Sequence, residues 1–216
     1  MKELQREYKP TVVIVVEPRI SGARANRVIR KLGFTHSHRV DARGFAGGVW
    51  VLWNERVTSV SVLHCHTQFI HMKVNFQGLS FLLTAVYGSP QEQWRRFLWR
   101  NIEALATQIT EPWILAGDFN AILTGDERQD RWRRNGVGNY QFLNCVNEAQ
   151  LIDLGFAGPK FTWRRNGDQA RLDRMLGNVH WLNSFAAASI LHLPFLSSDH
   201  RPILLRLEDL HPTIPK

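Results

Sequence analysis

Short apolar runs bounded by turn-forming residues recur along the whole chain, a pattern typical of β-strands. The run VVIVV at residues 12–16 is followed by Glu17 and a proline and predicts a buried strand. Residues 69–76 alternate apolar with polar side chains, which predicts a strand with one face in water. Gln77 and Gly78 then predict a turn into the apolar residues 79–87, so that the two strands would form a β-hairpin.

Helical periodicity is clearest over residues 89–109, where Ser89 and Glu92 have capping-box spacing and Pro90 suits the first helical position. The apolar stripe of this helix, expected in the core, consists of Trp94, Phe97, Leu98, Ile102, Leu105 and Ile109. Shorter helices are predicted within residues 1–8, 21–33, 139–150 and 178–186. Because strands outnumber helices and hairpins accompany them, the pattern favours an α+β fold over a doubly wound parallel sheet.

Composition adds a domain count and a preference for anionic partners. With 216 residues and 44% hydrophobic content, the chain is predicted to form one domain over residues 1–216, with its core at 8–208. The formal charge of +8 favours a polyanionic partner such as nucleic acid, a phosphorylated substrate or an anionic membrane surface. A merely soluble surface explains the same charge equally well.

Cysteine usage and the N-terminus bear on the compartment. Cys65 and Cys145 form no Cys-x-x-Cys pair, which argues against a zinc module and against a disulfide framework. The first ten residues are charged and contain no signal-peptide core, and the longest aliphatic run is far too short to cross a membrane. We therefore expect an intracellular protein, nuclear or cytoplasmic, that is neither secreted nor embedded in a membrane.

Several apolar runs end in a polar residue of a kind that carries chemistry. These residues are Glu17, Tyr87, Asp118 with Asn120, Asp173, and Asp199 with His200. Strand ends are where rigid scaffolds present functional groups. If strand geometry continues past Asp118, its side chain and that of Asn120 point to the same side, where a carboxylate and an amide could hold a water.

Each of these residues also has an ordinary structural explanation. Asp118 could serve a turn or a helix cap, and Asp173 could pair with Arg171 or Arg174. His200 could be a structural hydrogen-bond partner, Tyr87 a half-buried strand aromatic and Glu17 a solvated strand end. The functional hypothesis depends on all of them occurring in one chain.

A set of motifs occurs in order over residues 8 to 207: VVIVVEPR, GGVWVLW, AVYGSP, LAGDFNAIL, KFTW, RLDRML and SSDHRPILL. With these motifs the chain resembles the endonuclease/exonuclease/phosphatase superfamily, and is most similar to the endonuclease domain of plant LINE-type (non-LTR) retrotransposons. The resemblance implies a DNase-like four-layer α/β/β/α sandwich of two packed mixed sheets. It also implies a phosphodiester-cleaving site at one end of those sheets.

The resemblance further implies roles for the residues at the strand ends. Glu17 would bind a divalent cation, Mg²⁺ or else Mn²⁺, with Asp199 as a possible further ligand. Asp118 would deprotonate the attacking water while Asn120 holds it in place. His200, steered by Asp173, would contact the scissile phosphate, and Tyr87 would donate to a phosphate oxygen. No small-molecule cofactor is expected.

DNA is the partner that the resemblance implies. The segment DERQDRWRRNGVG interleaves basic residues with Trp132, as suits phosphate contacts and base stacking. The residues assigned to DNA are Arg128, Arg131, Arg133 and Arg134, with Trp163 of the KFTW motif. The alternative for this segment is a solvated surface loop.

The match fails at the N-terminus, since the family pattern opens with a strand that carries an asparagine and this chain starts in the helix that follows it. We therefore expect a retrotransposon-derived fragment that lacks the family's first strand and has weakened or lost activity. Two alternatives stay open: a catalytically inactive remnant that binds nucleic acid, and a hydrolase of the same fold that acts on another phosphoester.

Overall fold

The computed structural model describes residues 1–42, 47–54, 58–130 and 138–207. The helices in these ranges are α1 (Lys2–Tyr8), α2 (Gly22–Leu32), α3 (Glu92–Ala106), α4 (Tyr140–Glu148) and α5 (Val179–Ser184), with one 3₁₀ turn at Gly125–Glu127. The first strands are β1 (Val12–Val16), β2 (His36–Val40), β3 (Val49–Trp53), β4 (Thr58–His66), β5 (Phe69–Phe76), β6 (Leu79–Tyr87) and β7 (Trp113–Asp118). The remaining strands are β8 (Arg128–Gln129), β9 (Ile152–Asp153), β10 (Trp163–Arg165), β11 (Asp168–Ala170), β12 (Asp173–Gly177), β13 (Ser189–His192) and β14 (Ile203–Arg206).

A six-stranded mixed sheet in the order β4-β5-β6-β7-β12-β9 is the centre of the fold. The predicted hairpin of β5 and β6 is confirmed, and its turn residues Gln77 and Gly78 have φ of 51° and 81°. Turns with two positive φ values match the right-handed twist of paired strands. Strands β6 and β7 are parallel and are connected through α3, whereas β7 and β12 are antiparallel. The ends of β6 and β7 therefore meet the start of β12 at one edge of the sheet.

A second layer of strands packs on the inner face of this sheet. It contains the β1-β3-β2 sheet and the β13-β14 hairpin. The buried side chains of Val49, Val51 and Trp53 in β3 pack against β5, β6 and β7, and the partly buried Ile14 and Leu205 join the same cluster. The larger of the two cores thus lies between two layers of strands.

Helices cover both outer faces. Ala25 and Ile29 of α2 pack on Trp50 of β3, on the outside of the β1-β3-β2 sheet. Leu98 of α3 and Phe142 of α4 pack with residues on the outer face of the central sheet. The predicted α+β fold, a four-layer α/β/β/α sandwich, is confirmed. No helix in the described ranges is both long and apolar enough to cross a membrane.

Two expectations about individual elements are wrong. The wet face predicted for residues 69–76 is only half present, because His71 is buried, bonds the Thr84 hydroxyl at 2.8 Å and meets the Trp113 ring edge-on. The predicted capping box at residue 89 does not form either. Helix α3 starts at Glu92 with Gln91 as its N-cap, while the Ser89 hydroxyl accepts a hydrogen bond from the Gln91 N–H in a turn before the helix.

The apolar stripe of α3 also needs correction. Trp94 is 51% exposed although the periodicity places it in the core. The next residue, Arg95, is buried instead, and its guanidinium donates to the carbonyl oxygens of Ser89 and Pro90. At the first turn of the helix, the buried side chain is therefore that of Arg95, whereas the sequence predicted that Trp94 would be buried there.

Candidate active site

Three of the candidate side chains form a row across neighbouring strands. Tyr87 ends β6 and Asp118 ends β7, and they are direct partners in the parallel pairing. Asp173 starts β12 and is the antiparallel partner of the same Asp118. Directly opposed residues in a sheet point to the same face. The phenol and both carboxylates are therefore neighbours at one sheet edge, and all three residues are buried.

Asp118 and Asn120 meet through a turn and not through a continued strand. Strand β7 ends at Asp118, and Asn120 has a left-handed φ of 48°. One Asp118 oxygen accepts the Asn120 backbone N–H at 2.8 Å, an Asx turn, and the other accepts the side-chain Nδ2 at 2.9 Å. The intervening Phe119 is fully buried against the helices and anchors the turn.

The orientation of the Asn120 amide limits what it can offer to a ligand. Its Nδ2 donates to Asp118 and also to the Gly88 carbonyl oxygen at 2.9 Å, so both amide hydrogens are used. The Oδ1 atom remains as an acceptor. The pair therefore presents acceptors to a water, and the amide has no hydrogen left to donate to it.

His200 forms an ion pair with the third carboxylate. Its Nδ1 lies 2.8 Å from Asp173 Oδ2. The Thr162 hydroxyl accepts the backbone N–H groups of Leu172 and Asp173 at 3.0 Å each, which fixes the start of β12. The alternative partners of Asp173 are excluded, because Arg171 and Arg174 pair with Glu127 and Asp153.

Burial changes the protonation of Asp118. Removal from water raises the pKa of this carboxyl group to about 7, and the charge of Asp173 adds to the rise. The charge of His200 and the hydrogen bond from the Asn120 N–H oppose it in part. Asp118 is thus able to exchange a proton near neutral pH, as a general base must.

His200 is shifted in the sense that favours the cation. Burial by itself lowers the pKa of the imidazole, but the hydrogen bond and charge of Asp173, with smaller contributions from Asp118 and Asp199, raise it to about 9. The ring is therefore protonated at pH 7. Because Nδ1 faces Asp173, the Nε2–H is the donor left for a ligand.

Glu17 follows β1 with a left-handed φ of 50° and closes the other side of the site. Its carboxylate pairs with the Arg19 guanidinium at 2.9 Å. Burial, then the charge of Glu17 and a hydrogen bond to it, raise the pKa of Tyr87 far above its usual range. Tyr87 is therefore a neutral hydroxyl donor. Because Tyr87 is the strand partner of Asp118, the hydrogen bond between Tyr87 and Glu17 brings the Glu17 carboxylate to the same site.

Asp199 lies at the rim of the same site. It is exposed, and its charge contributes to the raised pKa values of both Arg19 and His200. The structure thus brings together all seven residues singled out at the strand ends, four of them along the Tyr87–Asp118–Asp173–His200 line. Their catalytic and metal-binding roles stay predictions.

The DNA-contact candidates are placed only in part. Arg128 is exposed in β8, and its Nε pairs with Asp130 at 2.6 Å. Trp163 is half-buried at the start of β10 and forms an isolated backbone bridge with His200, beside the site. The remaining three candidates, Arg131, Arg133 and Arg134, lie outside the described residues.

Sequence reasoning missed the residues that allow close packing around the row of Tyr87, Asp118 and Asp173. Gly117 has φ of 145°, and a Cβ there would lie 2.0 Å from the Val86 carbonyl oxygen. Gly88 approaches the Phe119 backbone with similar closeness. A glycine directly beside a catalytic candidate, as in AGD and YGS, is a usable signal of such contact. Thr162 gave no comparable signal, because its two backbone partners are distant in sequence.

One cluster among the described residues could hold a divalent metal ion. Ligand atoms of Asp118, Asp173 and His200 lie within 4.8 Å of one another. However, a protonated imidazole has no lone pair for a metal, and its Nδ1 faces Asp173. The Glu17 side fits better, because carboxylate oxygens suit Mg²⁺ and this carboxylate already attracts a cationic group, the Arg19 guanidinium.

The chain forms a four-layer sandwich, which is the architecture of a DNase-like fold. Carboxylates and an imidazole lie at one end of its sheets. A sequence model of the endonuclease/exonuclease/phosphatase family matches residues 1–200, and the chain belongs to this family. The family and its structural neighbours are hydrolases of the nuclease and phosphodiesterase kind. No curated protein matches the chain by sequence.

Similar solved structures agree on the fold. The endonuclease domain of TRAS1, a telomere-specific non-LTR retrotransposon, has a TM-score of 0.69 and 13% identity, over 97% of this chain and 91% of that one. An AP endonuclease from Archaeoglobus fulgidus has a TM-score of 0.70 and 14% identity, over 95% and 92%. A beta toxin mutant from Staphylococcus aureus with bound magnesium ions has a TM-score of 0.63 and 14% identity, over 90% and 86%.

Proposed function

We propose that the protein is a Mg²⁺-dependent phosphodiesterase of the DNA-endonuclease type that derives from a retrotransposon. The observation that carries the proposal is one constellation: a buried carboxylate with pKa about 7, oriented by Asn120, beside an imidazolium held by Asp173. The basic charge of +8 and the likeness to the TRAS1 endonuclease domain favour DNA over other phosphoesters.

Glu17 and Asp199 would hold the metal ion. Glu17 is partly exposed at the rim, Asp199 is exposed, and both offer hard oxygen atoms. When bound, Mg²⁺ would supply positive charge that stabilises negative charge on the phosphoryl oxygens. Mn²⁺, which accepts the same oxygen ligands, would serve as a substitute. Glu17 would exchange its contact with Arg19 for the ion.

Asp118 would remove a proton from the attacking water. In its ionised form it accepts this proton, and the Asn120 Oδ1 accepts the second hydrogen of the same water. The hydrogen bonds from Asn120 hold the carboxylate in one orientation, so that little rearrangement is needed during attack. General-base catalysis of this kind contributes about 10²–10⁴-fold to a rate.

His200 and Tyr87 would stabilise the phosphate as charge accumulates on it. The imidazolium Nε2–H and the neutral phenol O–H are donors on either side of Asp118. Asp173 keeps His200 protonated and fixes its orientation through Nδ1. Such fixed donors act in a site that is largely shielded from water, where they are worth more than in solution.

A plasmid-nicking assay tests the proposal. Supercoiled DNA is incubated with the full chain and Mg²⁺, beside Asp118→Asn, His200→Ala and an EDTA control. Asp126→Asn is the matched control variant, since Asp126 is an exposed acid that pairs with Lys160. We expect wild type and control to nick equally, and the two site variants to lose at least about 10²-fold in rate.

The assay also decides between the open alternatives. If wild type and site variants nick equally little while wild type binds DNA, the protein is a catalytically inactive nucleic-acid-binding remnant. Nicking at a level far below that of an intact nuclease, but still sensitive to Asp118→Asn, would support the predicted weakening of activity. Cleavage of another phosphoester without nicking of DNA would support the third alternative.

A further inference from the structure

A cluster of two arginines on one aromatic ring lies next to the candidate site. The guanidinium carbon of Arg164 is 4.0 Å from the Phe195 ring centroid, and that of Arg201 is 3.9 Å from it. Both distances are well inside the range of about 6 Å for cation–π contacts. We call Arg164, Phe195 and Arg201 the cationic stack.

The cationic stack is held in place by the backbone around it. Arg201 Nε donates to the Phe161 carbonyl oxygen at 2.9 Å and Nη1 donates to the Leu193 carbonyl oxygen at 3.2 Å. The backbone N–H of Arg164 donates to the Asp199 carbonyl oxygen at 2.9 Å. Much of the conformational entropy that the Arg201 side chain would lose on binding a ligand is thus already lost in the free protein, and the Arg164 side chain is held by its contact with Phe195.

The charges of the stack, on Arg164 and Arg201, have no ion-pair partner among the described residues. Both cations contact one ring, so they lie within about 8 Å of each other, closer than the screening length of about 10 Å at 0.1 M salt. Two freely solvated arginines would separate, whereas these are held together despite their repulsion.

The position of the stack indicates which anion it would bind. Arg201 directly follows His200, and Trp163, which precedes Arg164, pairs with His200 through the backbone. Arg164 is also tied to Asp199. The stack therefore flanks the place where the scissile phosphate would meet the imidazolium.

We propose that the cationic stack binds a backbone phosphate of DNA next to the one that is cleaved. The inference rests on the proposed function and adds to it a specific contact outside the catalytic row. Guanidinium groups bind phosphate oxygens with strong, charge-assisted hydrogen bonds. Because phosphates carry no base identity, the stack would position the strand without selecting a sequence.

Fluorescence anisotropy with a labelled duplex oligonucleotide tests the inference. The full chain is titrated in EDTA, to prevent cleavage, between 50 and 200 mM NaCl. We expect Arg164→Ala to weaken binding about tenfold at low salt, for any base sequence, and to reduce the slope of log K against log[salt] by about 1. Arg164→Lys keeps the charge and should retain the slope with an intermediate affinity.

Arg30→Ala is the control, because Arg30 is an exposed arginine in the last turn of α2, at the end of that helix remote from Glu17. It should bind within twofold of wild type. If Arg164→Ala binds like Arg30→Ala with an unchanged slope, the inference is wrong, while plasmid nicking by wild type still supports the proposed function. If wild type neither binds the duplex nor nicks plasmid, both are wrong.

Discussion

At the residue scale, the pKa values of Asp118 and His200 define a range of pH in which Asp118 is ionised while His200 is protonated. The carboxyl is raised to about 7 and the imidazole to about 9. A base must be ionised and an acid protonated, so the productive state dominates between these values. Because the two groups interact, the apparent pKa values belong to the pair.

The activity should therefore follow a bell-shaped pH profile. With saturating Mg²⁺, we expect kcat/KM for nicking to rise up to pH about 7 and to fall above pH about 9. Asp173→Asn removes the charge that raises the pKa of His200, so its upper limb should move toward the ordinary imidazole value of about 6.5. An upper limb that stays in place in this variant would show that His200 is not the acid.

Stability should also depend on Asp118. Its carboxyl has a pKa of about 7 in the folded protein and about 3.9 in an unfolded chain. The folded state therefore binds a proton that the unfolded state has released, and stability falls as pH rises through this window. Asp118→Asn does not titrate. Its Tm relative to wild type should be higher at pH 8 than at pH 5.

Asp126→Asn provides the comparison for this measurement. The pKa of Asp126 is lowered to about 2, because its carboxylate accepts hydrogen bonds from Lys160 and Thr124. The stability that the ionised Asp126 carboxylate contributes is present at any pH above its pKa in the unfolded chain. It is lost only in acid. The Tm difference from wild type should thus be the same at pH 5 and pH 8. An equal pattern for Asp118→Asn would contradict the raised pKa.

At the element scale, one buried ion network ties the loop after β7 to β12. The Glu127 carboxylate accepts hydrogen bonds from Arg171 and Arg174, and it also accepts the Leu123 N–H at 2.7 Å. Arg174 is completely buried and directly follows Asp173. The network therefore fixes the loop that carries Asn120 relative to the strand that carries Asp173.

Glu127→Gln should destabilise the whole domain. After the change, Asp153 is the remaining acidic partner of the two buried guanidinium groups. Loss of one partner from a buried ion pair lowers the free energy of unfolding by about 3–5 kcal/mol. Urea unfolding measures the difference. The adjacent Asp126→Asn, which loses only an exposed ion pair, should shift the midpoint far less. A Glu127→Gln variant as stable as wild type would mean that Asp153 alone compensates both arginines.

The sequence was sufficient for elements whose pattern is local and for residues that end an apolar run. The strand at VVIVV and the hairpin turn at Gln77 could be predicted because strand propensity and turn chemistry depend on near neighbours. The burial expected for VVIVV is wrong, since only Val13 of this strand is buried. The contacts of His71 and Arg95 could not, since an alternating pattern does not reveal that Thr84 and Trp113 will bury a histidine. That Arg164 and Arg201 meet on the ring of Phe195 could not be predicted either, because the contact joins residues from different segments of the chain.

At the scale of the whole molecule, the order of the strands in the central sheet determines which residues meet in the candidate site. Tyr87, Asp118 and Asp173 form a row because β6, β7 and β12 are neighbours in the sheet. Along the chain, however, β12 begins 55 residues after the end of β7 (173 − 118). The family motifs suggested this convergence by resemblance. Spacing along the chain contained no such information.

Strands β1 and β14 are edge strands in the layer that contains β1. Among the described residues, β1 pairs only with β3, and β14 pairs only with β13. Val12, Ile14 and Ile203 on these strands are only partly buried. Such edges are templates for a further strand.

An added strand should therefore stabilise the domain. We expect an N-terminal extension with a family-type apolar strand to raise the Tm by several degrees, because each large apolar side chain that becomes buried contributes about 1.5–3 kcal/mol. A glycine–serine extension of equal length is the control. Equal Tm values for both extensions would show that neither edge accepts a further strand.

Two adjacent positions separate selection for folding from selection for cleavage. Any side chain at residue 117 would collide with the Val86 carbonyl oxygen, whereas asparagine at residue 118 adds no atom beyond those of the aspartate side chain. In variants selected only for a folded domain, residue 118 would therefore change before residue 117. Variants selected for cleavage of a phosphodiester would keep both.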